Sequence, residues 1–372
     1  MRGSIRVGKL FGIPLFIHYT WFVIVALITV SFATVNYPRQ YPGWPAVSYW
    51  LAGLLTALLL FASVLIHELS HSLVSRAQGV PVDSITLFIF GGVANIREEP
   101  RKARHELLMA AAGPASSLLL ALLLGIVALV APARSFVAGL ARTLALINLW
   151  VGLFNLIPGF PLDGGRVLRS LIWWGSSDIV QSTRIASIIG RVIATLMIIS
   201  GFLVAIFLGD WVSGLWLVFI GWFLDNAAVQ SYQQLLLREA LAGVTARQLM
   251  SPLCPTIEDD PDLQTVVDEF VLGTGQRCLF ISRGNRLAGL LTLHHIKSVP
   301  KERWRETRVS EVMTPSSEIK SVDINQSGLN ILRTMDEANV NQIPVVDGDR
   351  MVGIITREHL LHYIRNRIEL GL

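Results

Sequence analysis

The sequence predicts a polytopic α-helical membrane protein of about six transmembrane helices, followed by an α+β module built from two repeats. Three observations carry this prediction. Only 16% of the 372 residues are charged and the mean hydropathy is +0.54, against roughly 25% charged residues in ordinary soluble domains. Long apolar runs fill the chain up to about residue 230, whereas charges come every few residues from about residue 244. Within that charged part, a ten-residue pattern occurs twice.

A helix needs roughly 20 apolar residues to cross a ~30 Å hydrocarbon core. Runs of that size predict spans near residues 14–35, 49–75, 107–131, 136–157, 185–208 and 211–230. The opening "MRGSIRVGKLFGIPLFIHYTWFVIVALITVSF" has the basic start of a signal peptide. Its apolar run is too long for one and no small-residue cleavage pattern follows, so it is expected to stay as the first span. Arg2, Arg6 and Lys9, the stretch "REEPRKARHE" (97–106), and Arg166, Arg169 and Arg184 fall on one side of the spans. The opposite segments hold only Arg39 and Arg134. Positive-inside bias then puts the N-terminus, the arginine-rich loops and the C-terminal module in the cytosol, in a multi-pass cell-membrane protein. Trp44, Trp50, Trp150 and Trp211 lie near expected span ends, where interfacial aromatics gather.

The net charge of +4 is spent at span ends, and no basic stretch is interleaved with aromatics, so no nucleic-acid partner is expected. The two cysteines, Cys254 and Cys278, make no disulfide framework and fit a reducing compartment. Between the second and third spans, "VPVDSITLFIFGGVANI" (80–96) is apolar but short and β-prone. Gly91 and Gly92 permit a hairpin turn there, at the surface or re-entering the membrane face.

The second span carries "VLIHELSHSLVS" (64–75). Four residues apart on a helix, His67 and His71 lie ~40° apart on one face and can reach a single metal ion. Glu68 lies about 60° beyond His71, close enough to act on a metal-activated water. This is H-E-x-x-H, the two-ligand-plus-base pattern of zinc hydrolases. Counted from Arg76, His67 is ~13 Å inside the span, where ionisable groups are costly and mark function. A catalytic zinc takes three protein ligands. "NLIPGFPLDGGR" (155–166) offers Asp163 as the third, in an irregular segment just past the fourth span that Pro158 and Pro161 end. His18 and His105 read as interfacial or packing residues, and Asp225 as a solvated one.

With these two motifs in place, residues 1–230 resemble the site-2 protease family of intramembrane zinc metalloproteases, a likeness extended by "GIPLFIH", "FGGVA" and "AAGP". The resemblance implies one zinc per chain on His67, His71 and Asp163, with Glu68 as the catalytic base. It implies a carbonyl-positioning role for Asn155, and a place beside the substrate strand for the hairpin around Gly91 and Gly92. The implied substrate is a single-span membrane protein cleaved within the bilayer, as in regulated intramembrane proteolysis. The 37–48 loop is too short for the PDZ module of one family branch.

In the charged part, "RGNRLAGLLT" (283–292) aligns with "DGDRMVGIIT" (347–356), and "LMSP" (249–252) pairs with "VMTP" (312–315). Each copy reads strand, turn at Gly284 or Gly348, strand, helix. This resembles a tandem of cystathionine-β-synthase (CBS) domains, which implies a regulatory module. The expected division is a membrane domain over 1–230, a linker over 231–243, and CBS domains over 244–299 and 308–368. In that family a Thr or Ser ending the second strand and an Asp three residues on hold an adenine nucleotide. Thr292 and Thr356 match the first position, but His295 and His359 stand at the second. A neutral imidazole is a poorer partner for a ribose diol than a carboxylate. Nucleotide binding therefore stays open beside dimerisation or docking without a small ligand, as does a homo-oligomer through this pair.

Two other function classes compete. A CBS-regulated membrane transporter would show inverted repeats and polar residues spread over several spans, whereas here the polar groups converge on one metal-like constellation. A non-catalytic membrane scaffold would lack some of the expected site residues, and all are present.

Overall fold

The computed structural model describes residues 3–89, 91–96, 100, 102–251, 256–257, 260–274, 278–283, 286–348 and 350–370. Cys254, the expected turn at Gly284, and Arg97 and Arg101 of the basic stretch lie outside them. The chain divides into two compact units, Met1–Gln233 and Gln234–Leu372.

The first unit opens with a hairpin where an apolar span was expected to begin. β1 (Ser4–Leu10) and β2 (Ile13–His18) pair antiparallel through Phe11 and Gly12, both at positive φ, as a two-residue hairpin turn requires. β2 runs parallel to β3 (Val82–Phe88), which pairs antiparallel with β4 (Gly91–Ile96), giving the sheet order β1-β2-β3-β4. The hairpin expected over 80–96 is present. Its two glycines do not make the turn, however: they are the first residues of β4, and Gly91 pairs with Phe88.

Among the described residues six helices are long and apolar enough to cross a membrane. The first, Thr20–Gln40, joins α1 (Thr20–Ser31) through a π-helical turn to α2 (Tyr37–Gln40). The others are α3 (Ala46–Ala77), α4 (Ala103–Val130), α5 (Phe136–Asn155), α7 (Ile179–Phe207) and α8 (Trp211–Leu241). α6 (Asp163–Ser176) is short and amphipathic and lies between α5 and α7. Side-chain caps fix two helix starts: Ser135 accepts from the Ala138 N–H, and Asp178 from the Gln181 N–H. Inward positions on the spans are mostly Ala, Gly, Ser and Thr, whereas Leu119, Leu122, Leu123 and Ile126 of α4 are exposed. That inversion of the soluble pattern is how helices pack in lipid, where small residues let backbones approach. Asp225, expected to be solvated, forms an exposed ion pair with Arg191 at 3.0 Å, joining α7 and α8.

The second unit contains α9 (Ala246–Leu249), β5 (Thr256–Ile257), α10 (Leu263–Thr265), β6 (Cys278–Arg283), β7 (Arg286–Thr292), α11 (Leu293–Lys297), α12 (Val309–Val312), β8 (Thr314–Pro315), β9 (Val322–Asp323), α13 (Gly328–Ala338), β10 (Gln342–Asp347), β11 (Arg350–Thr356) and α14 (Arg357–Leu370). Its two small sheets run β5-β6-β7-β8 and β11-β10-β9. Over the expected linker 231–243 the chain is helical up to Leu241, and Ala240 and Leu241 are buried in this unit's core. The cores also cut across the repeat. Ala246 and Leu249 pack with residues 322–364, while Val309 packs with residues 257–296. Each copy of the repeat thus lends its leading segment to the other copy's core.

Candidate metal centre

α3 holds His67 and His71 on its inward face, each 5% exposed, with ring centroids 4.9 Å apart. Asp163 reaches them from the first residue of α6, so it opens a helix instead of sitting in an irregular segment. Its Oδ2 is 3.0 Å from Nε2 of His67 and 3.2 Å from Nε2 of His71. One ligand atom from each of the three residues falls within 4.8 Å of the other two.

Local sequence explains the approach of Asp163. α5 stops at Asn155, and Pro158 and Pro161 cannot continue it. The chain then folds back so tightly that α6 starts against its own approach. A Cβ on Gly164 would strike the Leu156 and Ile157 carbonyls, and one on Gly165 would sit 2.6 Å from the Gly159 carbonyl oxygen. Only glycine fits at either position.

α4 supports the two rings from behind. His71 donates from Nδ1 to the Met109 carbonyl at 2.6 Å, and Nδ1 of His67 is 2.9 Å from the Ser117 hydroxyl. Gly113 lies between these contacts, where a Cβ would come within 2.6 Å of Nε2 of His67 and closer still to that of His71. A carbonyl can only accept, so Nδ1 of His71 carries a proton, and in the neutral ring the Nε2 lone pair is left facing Asp163. A lone pair and a carboxylate oxygen that close repel each other unless a proton or a metal ion sits between them. Two imidazole nitrogens and one carboxylate oxygen suit zinc, and Met109 and Ser117 sit where outer partners orient the rings of metal-binding histidines.

Glu68 is half-buried and faces β4. A Cβ on Gly92 would lie 2.6 Å from its Cγ, and the Ala94 backbone is within hydrogen-bonding reach. Gly91, at φ +125°, packs near Val64. Asn155 ends α5 with its amide donating to the Val151 carbonyl at 3.0 Å, a bond inside its own helix.

Residues 55–143 and 131–200 match the family model described as Peptidase family M50, and residues 309–366 match that of the CBS domain. The protein sll0528 of Synechocystis sp. is 36% identical over 366 residues, covering 97% of this chain and 95% of that protein. The chain belongs to peptidase family M50. Rip3 of Mycobacterium tuberculosis is 34% identical over 96% of this chain and 91% of its own length. MJ0392 of Methanocaldococcus jannaschii is 29% identical over 97% of this chain and 96% of its own. All three carry zinc metalloprotease names. Among solved structures, the site-2 protease from Methanocaldococcus jannaschii is 31% identical, covering 61% of this chain and 94% of that one, with a TM-score of 0.41. The M50 match takes in both the histidine helix and Asp163. As a multi-pass M50 protein with a C-terminal CBS pair, the chain has the architecture its sequence predicts.

Three neighbours of the M50 centre are not apparent from sequence: Met109, Gly113 and Ser117. A backbone carbonyl leaves no sequence signal, and the only pointer is a Gly-Pro pair inside an apolar run at 113–114. In the CBS unit, Thr292 and Thr356 both end a strand, and their hydroxyls accept from the N–H groups of His295 and His359. They cap α11 and α14. His295 completes the first cap by accepting from the Thr292 N–H at Nδ1, and its Nε2 lies 3.3 Å from the Thr314 hydroxyl. Burial, and after it the neighbouring His294, pushes the His295 imidazole below its ordinary pKa.

Proposed function

We propose that this chain is an intramembrane zinc metalloendopeptidase that cleaves the transmembrane segment of a single-span membrane protein, with the CBS pair as its regulatory module. The observation that carries the reading is the convergence of His67, His71 and Asp163 on one point, with Glu68 one residue from the first ligand. Zinc bound there supplies Lewis acidity, polarising a peptide carbonyl and making water acidic near neutral pH. Glu68 takes a proton from the attacking water and delivers it to the leaving nitrogen. Met109 and Ser117 hold the imidazole rings in orientation throughout. A substrate helix has its carbonyls bonded and must unwind before attack. β4, an edge strand beside Glu68, offers the freed segment a backbone to pair with. Asn155 is suited to position the scissile carbonyl from the end of α5.

The arginine-rich segments and the CBS pair are assigned to the cytosol by charge bias. In intact cells, added protease should then spare the CBS unit until the membrane is broken. For the nucleotide question, equilibrium dialysis of the full chain with ATP, repeated on Thr292→Val and Thr356→Val, gives a direct answer.

The central test compares detergent-purified wild type with His71→Ala and Glu68→Gln by elemental analysis. Wild type should hold about one zinc per chain, and His71→Ala should lose it. Glu68→Gln should keep zinc while cleavage of a reconstituted single-span substrate falls by about 10²-fold or more. Wild type purified without chelator and free of metal would overturn the reading.

A further inference from the structure

We infer that the buried ion pair between Glu106 and Arg169 is a positioning device that sets where Asp163 meets the two histidines. The inference rests on the metalloprotease reading above and assigns this pair a part in building the same centre.

Glu106 lies at the start of α4 and is fully buried, with 0% exposure, and Arg169 of α6 is 4% exposed. Arg169 donates from Nε to Oε1 of Glu106 at 2.8 Å, and its Nη2 donates to the same oxygen. Arg166 adds a second cation, its Nε 3.7 Å from that oxygen. The Arg169 guanidinium also stacks over the Phe160 ring, 5.2 Å from its centroid. Arg169 therefore grips both α4 and the loop that leads into Asp163.

A buried ion pair is poor glue, because desolvation offsets most of the attraction and apolar replacements often stabilise more. Its distinctive property is direction: two N–H groups of one planar guanidinium converge on a single carboxylate oxygen, Oε1 of Glu106. The placement of this pair makes that direction matter. Glu106, Met109, Gly113 and Ser117 recur at intervals of three, four and four residues, which is one stripe of a helix. That single stripe pins α6 through Glu106, accepts from His71 at Met109, leaves room for both rings at Gly113, and meets His67 at Ser117.

On α6, Asp163 lies six residues from Arg169, ~9 Å along the axis. On α4, Gly113 lies seven residues from Glu106, ~10.5 Å along the axis. The two helices are thus fastened at one point by the ion pair and at another by the ligand cluster, over nearly equal lengths. Tilting α6 about Arg169, at its middle, would carry Asp163 away from the imidazoles.

The test is zinc affinity of the full chain in detergent, measured by competition with a chelator, together with the visible spectrum of the cobalt-loaded protein and the melting of the zinc-free protein. Glu106→Gln and Arg169→Met should weaken zinc binding by about tenfold or more. They should also alter the cobalt spectrum; each leaves one buried charge unpaired and lowers zinc-free melting, whereas the double variant, Glu106→Gln with Arg169→Met, should melt closer to wild type and still bind zinc weakly. Arg169→Lys, which keeps the charge, should retain more affinity than Arg169→Met. Asp225→Asn, which breaks the α7–α8 pair, should bind zinc as wild type does.

Wild-type affinity and spectrum in both Glu106→Gln and Arg169→Met would overturn the inference and leave the metalloprotease reading standing. Loss of zinc only in step with collapse of the zinc-free fold, with no advantage for Arg169→Lys, would also overturn it, in favour of simple packing. Wild type that binds no zinc would sink both.

Discussion

Gly113 and Gly92 face different parts of the centre, and a methyl group on each would act differently. At Gly113 it would press into both imidazole rings from α4, at the side that Met109 and Ser117 support. At Gly92 the nearest atoms it would meet are Cγ and Cδ of Glu68 and the Val64 side chain. Gly113→Ala should therefore lose zinc, with affinity falling about tenfold to a hundredfold. On the proposed mechanism Gly92→Ala should keep zinc and lose turnover, because the displaced group is the proposed proton carrier and none of the three proposed ligands moves. Parallel zinc analysis and cleavage assays separate the two, and equal zinc loss in both variants would count against the division of roles. At this scale the sequence was explicit about the ligands: H-E-x-x-H states its own geometry on a helix. It was silent about their supports, because Met109 contributes through its backbone and Gly113 by having no side chain.

Elements show where sequence patterns stop being decisive. Ile13–His18 is an apolar run that merges into the first span, so its periodicity cannot separate a strand from a helix. The structure makes it β2, and the span begins at Thr20. Likewise α6 was hidden because Pro158, Pro161 and paired glycines read as loop, although its first residue, Asp163, completes the candidate ligand set. The β4 edge carries a prediction of its own. Val93 is 40% exposed on that strand, so Val93→Lys should slow cleavage severalfold without releasing zinc, and unchanged cleavage would argue against strand pairing with the substrate. The cap of α11 carries another. His295 accepts there through Nδ1, and burial followed by His294 depresses its pKa. The neutral form is favoured in the native state, so the stability it contributes is complete above the unfolded value of about 6.5. As pH falls below that value the unfolded state takes up the proton first, and the contribution drains away through the folded pKa. Hydrogen exchange of the α11 amides, corrected for intrinsic rates, should lose protection a few-fold in this range. His295→Gln, which can hold the same cap without titrating, should remove that dependence.

At the scale of the whole molecule, composition alone separated an apolar from a charged part, and it did so because lipid and water select opposite surfaces. It could not reveal how the charged part is assembled. The repeat marks two copies, yet the copies are not the units that pack. Leu249, in the first copy by sequence, is fully buried against Val322, Ile331, Ile343 and Ile355 of the second. Val309, at the head of the second, is fully buried against Leu279, Ile281 and Leu291 of the first. The methionines of the two motifs follow the same exchange: a Cβ on Gly353 would sit 2.9 Å from Sδ of Met250, and one on Gly289 would sit 2.9 Å from Cγ of Met313. A deletion drawn at the repeat boundary would therefore strip both cores. The sharper consequence is directional. Leu249→Ala should cost about 2–5 kcal/mol and fall chiefly on the distant core, speeding hydrogen exchange in β10 and β11 more than in β6 and β7. Val309→Ala should reverse that order. If each variant instead loosened the strands of its own copy, the exchange of segments would be wrong; if the predicted crossing is seen, the two copies depend on each other for their cores.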